Sequence, residues 1–212
     1  MFNFLKLFSF FILKLIKMNE EFKIEIDITD DNKYYNIHAC LRCIDGECGS
    51  VIDKLKEEYE GDEDINDYLC LIMIRLNINK NTRKIFMSDF YNNVTKLGRG
   101  LSHLNRKLKG GARAILCMIL LKAYNGGIIK DEDKIQLEAS GDLEDDIGNA
   151  KDMIGLVNYY KHLGFKITDE NNLEDQLANL SVYMYGKVGD ILDRCNDVKI
   201  SPELRKIIRQ IK

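Results

Sequence analysis

The chain contains, at residues 107–113, the run KLKGGAR, which leads directly into a long apolar stretch. Glycines at the start of a helix let a ligand approach the backbone closely, and the first N–H groups of a helix have no partner within it. The helix dipole adds partial positive charge at this point, and lysine and arginine side chains add full charges. The run therefore predicts an anion-binding loop. Its members are Lys107, Lys109, Gly110, Gly111, Ala112 and Arg113.

The charge distribution supports this interpretation. The whole chain has a formal net charge of −3, but there is no Asp or Glu from Phe90 to Ile129, where Lys and Arg recur. A basic island in an acidic chain indicates a local anionic ligand, with phosphate the obvious candidate. The loop is neither a Walker A loop, which ends in Gly-Lys-Ser/Thr, nor a three-glycine dinucleotide fingerprint. Nucleic-acid binding through residues 96–113 stays open as an alternative, although that stretch has no aromatic residues.

Alternation and helical periodicity predict the elements that position this loop. Strands and helices alternate through the second half of the chain, so the fold class is α/β (α+β mixed sheet), with a central mixed sheet flanked by helices. One domain over residues 18–212 is expected. Predicted strands cover residues 22–28, 34–41, 68–78, 84–91, 134–139, 165–168 and 180–186. Predicted helices begin at Ser50 and Ser201 and cover residues 112–124 and 152–163, with Asp152 as the cap of the latter.

Downstream of the loop, residues 134–140 (KIQLEAS) are followed by residues 156–165 (LVNYYKHLGF). This segment resembles the GNAT superfamily of N-acetyltransferases, in which a strand precedes a tyrosine-bearing helix and a Gly-Phe turn. In that family an upstream Arg/Gln-x-x-Gly-x-Gly/Ala loop binds the pyrophosphate of acetyl-CoA. Lys107, Gly110 and Ala112 match this loop, with Lys in the Arg/Gln place. The resemblance covers about residues 84–186 and implies a GNAT-like acyl-CoA N-acyltransferase fold, with acetyl-CoA as co-substrate.

The resemblance also implies a reaction, in which a primary amine attacks the acetyl thioester directly. A backbone N–H of the strand at 84–91 would polarise the carbonyl, and Phe90 and Tyr91 at its end are assigned to the cofactor site. Tyr160 would protonate the departing thiolate, and Glu138 or Asp89 would take the proton from the amine. The alternatives are a buried core tyrosine, ordinary strand carboxylates, and a relative that binds acyl-CoA without catalysis. The acceptor, a small molecule or a protein, is not identified.

Six cysteines raise the question of metal binding and of compartment. Cys70 and Cys117 lie in apolar runs, which predicts small core residues and favours a reducing, cytoplasmic location. A cluster between positions 38 and 48 has types that bind zinc, but two of its members fall on an alternating strand and there is no second Cys-x-x-Cys pair. Ordinary strand and turn residues are therefore favoured over a metal site. The cluster is His38, Cys40, Cys43 and Cys48.

Residues 1–17 (MFNFLKLFSFFILKLIK) form a separate hydrophobic extension. The stretch is short for a membrane span, which needs about 20 apolar residues, and it lacks a small-residue cleavage site. A weak anchor or an interfacial amphipathic helix is one interpretation. The other is that translation begins at Met18. Membrane association is expected only through this extension.

Overall fold

A computed structural model describes residues 12–17, 22–43, 70–92, 108–140 and 150–195. The strands are β1 (Ile12–Lys17), β2 (Phe22–Asp30), β3 (Tyr34–Cys43), β4 (Cys70–Asn79), β5 (Ile85–Asn92), β6 (Lys134–Ser140), β7 (Lys166–Ile167) and β8 (Ser181–Lys187). The helices are α1 (Gly111–Asn125), α2 (Ala150–Leu163), α3 (Leu173–Ala178) and α4 (Val188–Cys195), with a 3-10 turn at Glu170–Asn172.

The described strands form one sheet in the order β1-β2-β3-β4-β5-β6-β8-β7. Neighbouring strands are antiparallel throughout, except that β5 and β6 are parallel. A parallel pair needs a crossover connection, and α1 supplies it between these two strands. The predicted fold class, a mixed sheet flanked by helices, is confirmed.

The parallel pair separates part of the way along its length. Its pairing runs from Ile85–Ile135 to Met87–Leu137 and ends there, although β5 continues to Asn92 and β6 to Ser140. A register shift on the other edge of β5 leaves Ser88 as an extra residue opposite β4. Such a bulge bends a strand and increases its twist, which accounts for the divergence from β6. We call the opening between the carboxyl-terminal parts of β5 and β6 the strand gap.

Helix α1 packs its apolar surface on one face of the sheet, over β3, β4 and β5. Its inner side chains, such as Ile115 and Leu116, are fully buried, whereas Leu121 and Tyr124 lie on the outer side. Burial of each large apolar side chain stabilises the fold by about 1.5–3 kcal/mol. The helix predicted at 112–124 is confirmed to within one residue at each end. Because α1 connects the parallel strands β5 and β6, it runs from the carboxyl end of β5 back to the amino end of β6, so its first turn lies towards the end of the sheet where the strand gap opens.

Several boundaries differ from the predictions. Helix α2 begins at Ala150, so Asp152 lies inside it and the prediction of a cap there is wrong. Gly164 ends the helix at a φ of 106°, as its position predicted. Strand β7 is shorter than predicted because the Phe165 N–H donates to the Tyr160 carbonyl and so still belongs to the helix end. Leu180 is a turn residue with a φ of 51°. The predicted helices at Ser50 and Ser201 lie outside the described residues.

Helices α3 and α4 were not predicted, since each has too few residues to show helical periodicity clearly. Strand β1 was not predicted either. Its residues pair antiparallel with β2, so the described part of the 1–17 extension is a sheet strand and not an interfacial helix. Within the described ranges, no helix has the length and apolar character needed to cross a membrane.

Two disulfide bonds, Cys40–Cys70 and Cys117–Cys195, join distant parts of the chain. The prediction that Cys70 and Cys117 are small core residues is confirmed by their burial, but the structure adds that each one forms a disulfide. Sequence spacing does not reveal such pairs, because they form where β3 meets β4 and where α1 meets α4. Disulfides persist in oxidising compartments, so the cysteines no longer support a reducing location. Because its sulfur is bonded to Cys70, Cys40 is not a zinc ligand in this state.

Candidate functional site

The first turn of α1 has the backbone geometry of an anion site. Gly110 adopts the left-handed conformation, with φ 78° and ψ 7°, which glycine reaches without a side-chain penalty. The Gly111 N–H donates to the Leu108 carbonyl at 2.8 Å, so it is already used. In the part of the chain that the structure describes, the N–H groups of Ala112 and Arg113 have no acceptor. These two amides are thus available to an anion at the helix start.

Positive side chains accompany these amides. Lys109 is exposed beside the turn, whereas Lys107 lies outside the described residues. Arg113 donates from Nη2 to the carbonyl of Arg194 at 2.6 Å, which fixes its guanidinium between α1 and the end of α4. Its charge also acts on the hydroxyl of Tyr159, whose pKa it lowers in opposition to burial. Arg113 is therefore held by α4 and faces α2 at the same time.

Aromatic rings from β5 and α2 meet beside the strand gap. The Phe90 ring centroid lies 5.9 Å from that of Tyr159 and 5.7 Å from that of Tyr160. Tyr160 also contacts Phe165, at 5.8 Å between centroids. Tyr160 is only 5% exposed, whereas Tyr159 keeps 37% of its surface exposed. The structure thus brings two predicted site residues, Phe90 and Tyr160, into contact. Strand β5 includes Tyr91, whose side chain is outside the description.

Both tyrosine hydroxyls hold their protons at neutral pH. Burial, with a smaller contribution from neighbouring Tyr159, raises the pKa of Tyr160 well above its usual range. Burial raises the pKa of Tyr159 to about 12, although the positive charge of Arg113 opposes the change. A phenol that keeps its proton serves as a proton donor and not as a base. Tyr160 thus carries the proton that its predicted role requires, and its raised pKa makes it a weaker acid than a free phenol.

Alkaline titration tests these protonation states. Because folding raises these pKa values, the native state binds the phenolic protons more tightly than the unfolded chain does. The contribution of Tyr159 to the stability of the fold is therefore complete below about pH 10 and is lost as the pH rises through about 12. We expect the phenolate absorbance of the folded chain to include a late component near pH 12, which Tyr159→Phe reduces. Phenolate formation complete near pH 10, in protein that circular dichroism shows to be folded, contradicts this expectation.

The two carboxylates predicted as catalytic bases, Glu138 and Asp89, lie on the face of the sheet opposite the one that Phe90 and Tyr160 occupy. Buried Leu137 and Ala139 flank Glu138, so alternation directs Glu138 away from α1, and it accepts a hydrogen bond from Ser181 Oγ at 2.6 Å. Asp89 has one oxygen 3.5 Å from Arg75 Nη1 and 3.1 Å from Ser88 Oγ.

The structure therefore does not place these carboxylates beside Tyr160 on one surface. Asp89 belongs to β5 and Glu138 to β6, so they border the strand gap on its two sides, and they do so from the face opposite Phe90 and Tyr160. The strand gap is the place where groups on the two faces approach the same space.

Helix α4 supplies a positioning group that sequence reasoning missed. Arg194 donates from Nη1 to the carbonyls of Lys161 and His162, at 3.1 and 3.2 Å, at the end of α2. Its own carbonyl accepts from Arg113, and the next residue carries the disulfide to α1. The end of α4 therefore ties α1 to α2. A basic residue in the last turn of a short amphipathic segment is the only signal that the sequence offers.

Comparison with known proteins adds little to this geometry. No protein-family model matches the chain, and no curated protein matches it. Among solved structures, the crystal structure of nourseothricin acetyltransferase is similar with a TM-score of 0.36 and 15% sequence identity, over 78% of this chain and 75% of that chain. A likeness this distant does not assign a family.

Proposed function

We propose that the chain is an acetyl-CoA-dependent N-acetyltransferase. The observation that carries the proposal is the strand gap between β5 and β6 together with the free amides of Ala112 and Arg113 at the start of α1. The charge of Arg113 acts on Tyr159, whose ring contacts Phe90 of β5, and this links the helix start to the strand. A pyrophosphate fits these amides together with the charges of Lys109 and Arg113. The residues present thus suit an anionic ligand that extends from the helix start into the gap.

The unpaired edges of the two strands suit the rest of such a ligand. Beyond Met87 and Leu137, β5 and β6 do not hydrogen-bond to each other, so backbone groups along the gap need other partners. The pantetheine arm of coenzyme A carries amides that pair with a strand edge as an added strand does. A backbone N–H of β5 in the same place would polarise the thioester carbonyl and stabilise the developing oxyanion.

The two proton transfers of the reaction take place on opposite faces of the strand gap. The acceptor approaches on the face of Asp89 and Glu138, where negative charge attracts an ammonium and a carboxylate takes its proton, directly or through water. The amine nitrogen then bonds to the carbonyl carbon, and the bond from that carbon to sulfur breaks. Tyr160, on the other face, supplies a proton to the thiolate. The nitrogen, now bonded to the carbonyl carbon, loses its extra proton to solvent, and solvent reprotonates the tyrosinate. The net products are the amide, free coenzyme A and the proton taken from the ammonium.

A thiol-release assay with acetyl-CoA and a panel of primary amines tests the proposal. We expect turnover of at least one amine and a loss of about 100-fold in kcat/KM for Glu138→Gln, because the base is removed. Asp89→Asn is the matched control, since it also neutralises a carboxylate beside the gap, and we expect a loss below about tenfold. Absence of thiol release with every amine contradicts the proposal.

The second candidate is an acyl-CoA-binding protein without catalytic activity. It is favoured by the partners that both carboxylates already have, Ser181 for Glu138 and Arg75 for Asp89. Binding of acetyl-CoA without turnover of any amine would support it. The nucleic-acid alternative stays a prediction, because most of segment 96–113 lies outside the described residues.

A further inference from the structure

A groove crosses the polar face of the sheet, on the side away from α1. The strand register aligns Asn36 of β3, Asn77 of β4, Phe86 of β5 and Gln136 of β6 in one row. The groove has a volume of about 440 Å³ and is open on one side. Small-molecule sites have volumes of roughly 300–1,000 Å³, so the groove has room for a ligand of one or two rings.

The amides of the groove keep hydrogen-bonding capacity. The Asn36 side chain donates an N–H to Asp31 at 3.3 Å, and the Asn77 side chain donates one to Ser88 at 3.2 Å. Among the described residues, neither side-chain carbonyl oxygen accepts a hydrogen bond. The side-chain carbonyl oxygen of Asn79 accepts from the N–H groups of Asn81 and Thr82 in the turn that follows β4, and its NH₂ group has no acceptor within the described part of the chain.

Gln136 has no hydrogen bond to any other described side chain, so both ends of its amide are available. The groove therefore offers donors and acceptors side by side. This mixture matches hydroxyl groups, each of which donates and accepts.

An apolar ring lies among these amides. Phe86 is 43% exposed, although phenylalanine is usually buried, and it stands in the row between Asn77 and Gln136. A flat apolar ring offers a stacking surface to the C–H face of a sugar ring. Lys84 is the single charged side chain among the described residues that line the groove. The single positive charge of Lys84 does not balance the several negative charges of a ligand such as a nucleotide, so the groove suits a neutral ligand.

From this arrangement we propose that the groove is a carbohydrate-binding site, which takes a neutral sugar of one or two rings by stacking on Phe86 and hydrogen bonding to Asn77 and Gln136. Uncharged amides beside an exposed ring fit this chemistry better than that of a nucleotide or a carboxylic acid, which need more positive charge. The site lies on the opposite face of the sheet from the helix start of α1, and it does not depend on the acetyl-transfer proposal.

The test is a titration of the full chain, without acetyl-CoA, with maltose and with N,N′-diacetylchitobiose, followed by calorimetry and by saturation-transfer NMR. We expect one of these sugars to bind, with Kd in the millimolar range. Phe86→Ala and Gln136→Ala should each weaken that binding about tenfold, through loss of stacking and of hydrogen bonds. Tyr183→Ala is the matched control, because Tyr183 is an exposed ring, 53% accessible, that does not line the groove.

Three results overturn the proposal. They are binding of neither sugar, binding that both variants leave unchanged in protein whose circular dichroism is native, and tighter binding of adenosine than of either sugar. Because acetyl-CoA is absent from the titration, failure of acetyl transfer does not affect the outcome. Sugar binding that Tyr183→Ala preserves and the two groove variants weaken supports the site.

Discussion

Tyr160→Phe is expected to lower kcat for acetyl transfer about 100-fold and to leave the Kd for acetyl-CoA nearly unchanged. The substitution removes one hydroxyl from a ring that is 5% exposed and contacts Phe90 and Phe165 through its apolar surface. Loss of a proton donor acts on the chemical step and not on ground-state binding. Steady-state thiol release gives kcat, and calorimetric titration gives Kd.

Tyr159→Phe is the matched control, because it removes the same atom from the neighbouring residue of α2. Its ring also contacts Phe90, but it is 37% exposed and its hydroxyl faces the charge of Arg113. We expect its kcat to fall by less than about threefold. If Tyr160→Phe keeps full kcat, or if Tyr159→Phe produces the larger loss, Tyr160 is not the proton donor.

Removal of the Cys117–Cys195 disulfide is the second change with a large expected effect. The double variant Cys117→Ala/Cys195→Ala opens a loop with a sequence separation of 78, and loop entropy predicts a decrease of about 4.5 kcal/mol in the free energy of unfolding. The acetyl-CoA Kd should rise about tenfold, because the end of α4 no longer holds Arg113 through its hydrogen bond to Arg194. Urea unfolding and calorimetry measure the two effects.

The variant Cys40→Ala/Cys70→Ala provides the comparison. It opens a loop with a sequence separation of 30 within the sheet, so the loss of stability should be about 1 kcal/mol smaller. Its two cysteines belong to a core cluster separate from the one that contains α1, so acetyl-CoA affinity should stay at the wild-type value. Equal loss of affinity in both double variants would show that α4 has no special part in holding the helix start of α1.

Local pattern was sufficient to predict the elements that surround the site. Strict alternation from Phe22 to Ile28 predicted β2, and the nearly uninterrupted apolar run of α1 predicted a buried helix between two strands. Helical spacing also placed Tyr160 on the inner side of α2, and its contacts with Phe90 and Phe165 confirm that position. These features depend on neighbours within one element, which periodicity records directly.

Features that depend on tertiary pairing could not be predicted in this way. The strand gap arises where the bulge at Ser88 turns β5 away from β6, and no residue type specifies a bulge there. Alternation assigned a sheet face to Glu138 but gave no sign of its hydrogen bond to Ser181, a residue of β8. The bond between Cys117 and Cys195 depends on how α4 packs on α1. Sequence spacing alone therefore led to the wrong cysteine state.

Calorimetric titration of the full chain with acetyl-CoA, in parallel with coenzyme A and ATP, shows whether the protein binds coenzyme A through the strand gap and the start of α1. We expect acetyl-CoA and coenzyme A to bind with Kd in the micromolar range, and ATP at least about tenfold more weakly, because it lacks the arm that occupies the strand gap. Lys109→Ala/Arg113→Ala should weaken acetyl-CoA binding about tenfold or more, through loss of phosphate contacts. Absence of binding heat with both acetyl-CoA and coenzyme A, or ATP binding as tight as that of acetyl-CoA, would show that the strand gap is not a coenzyme A site.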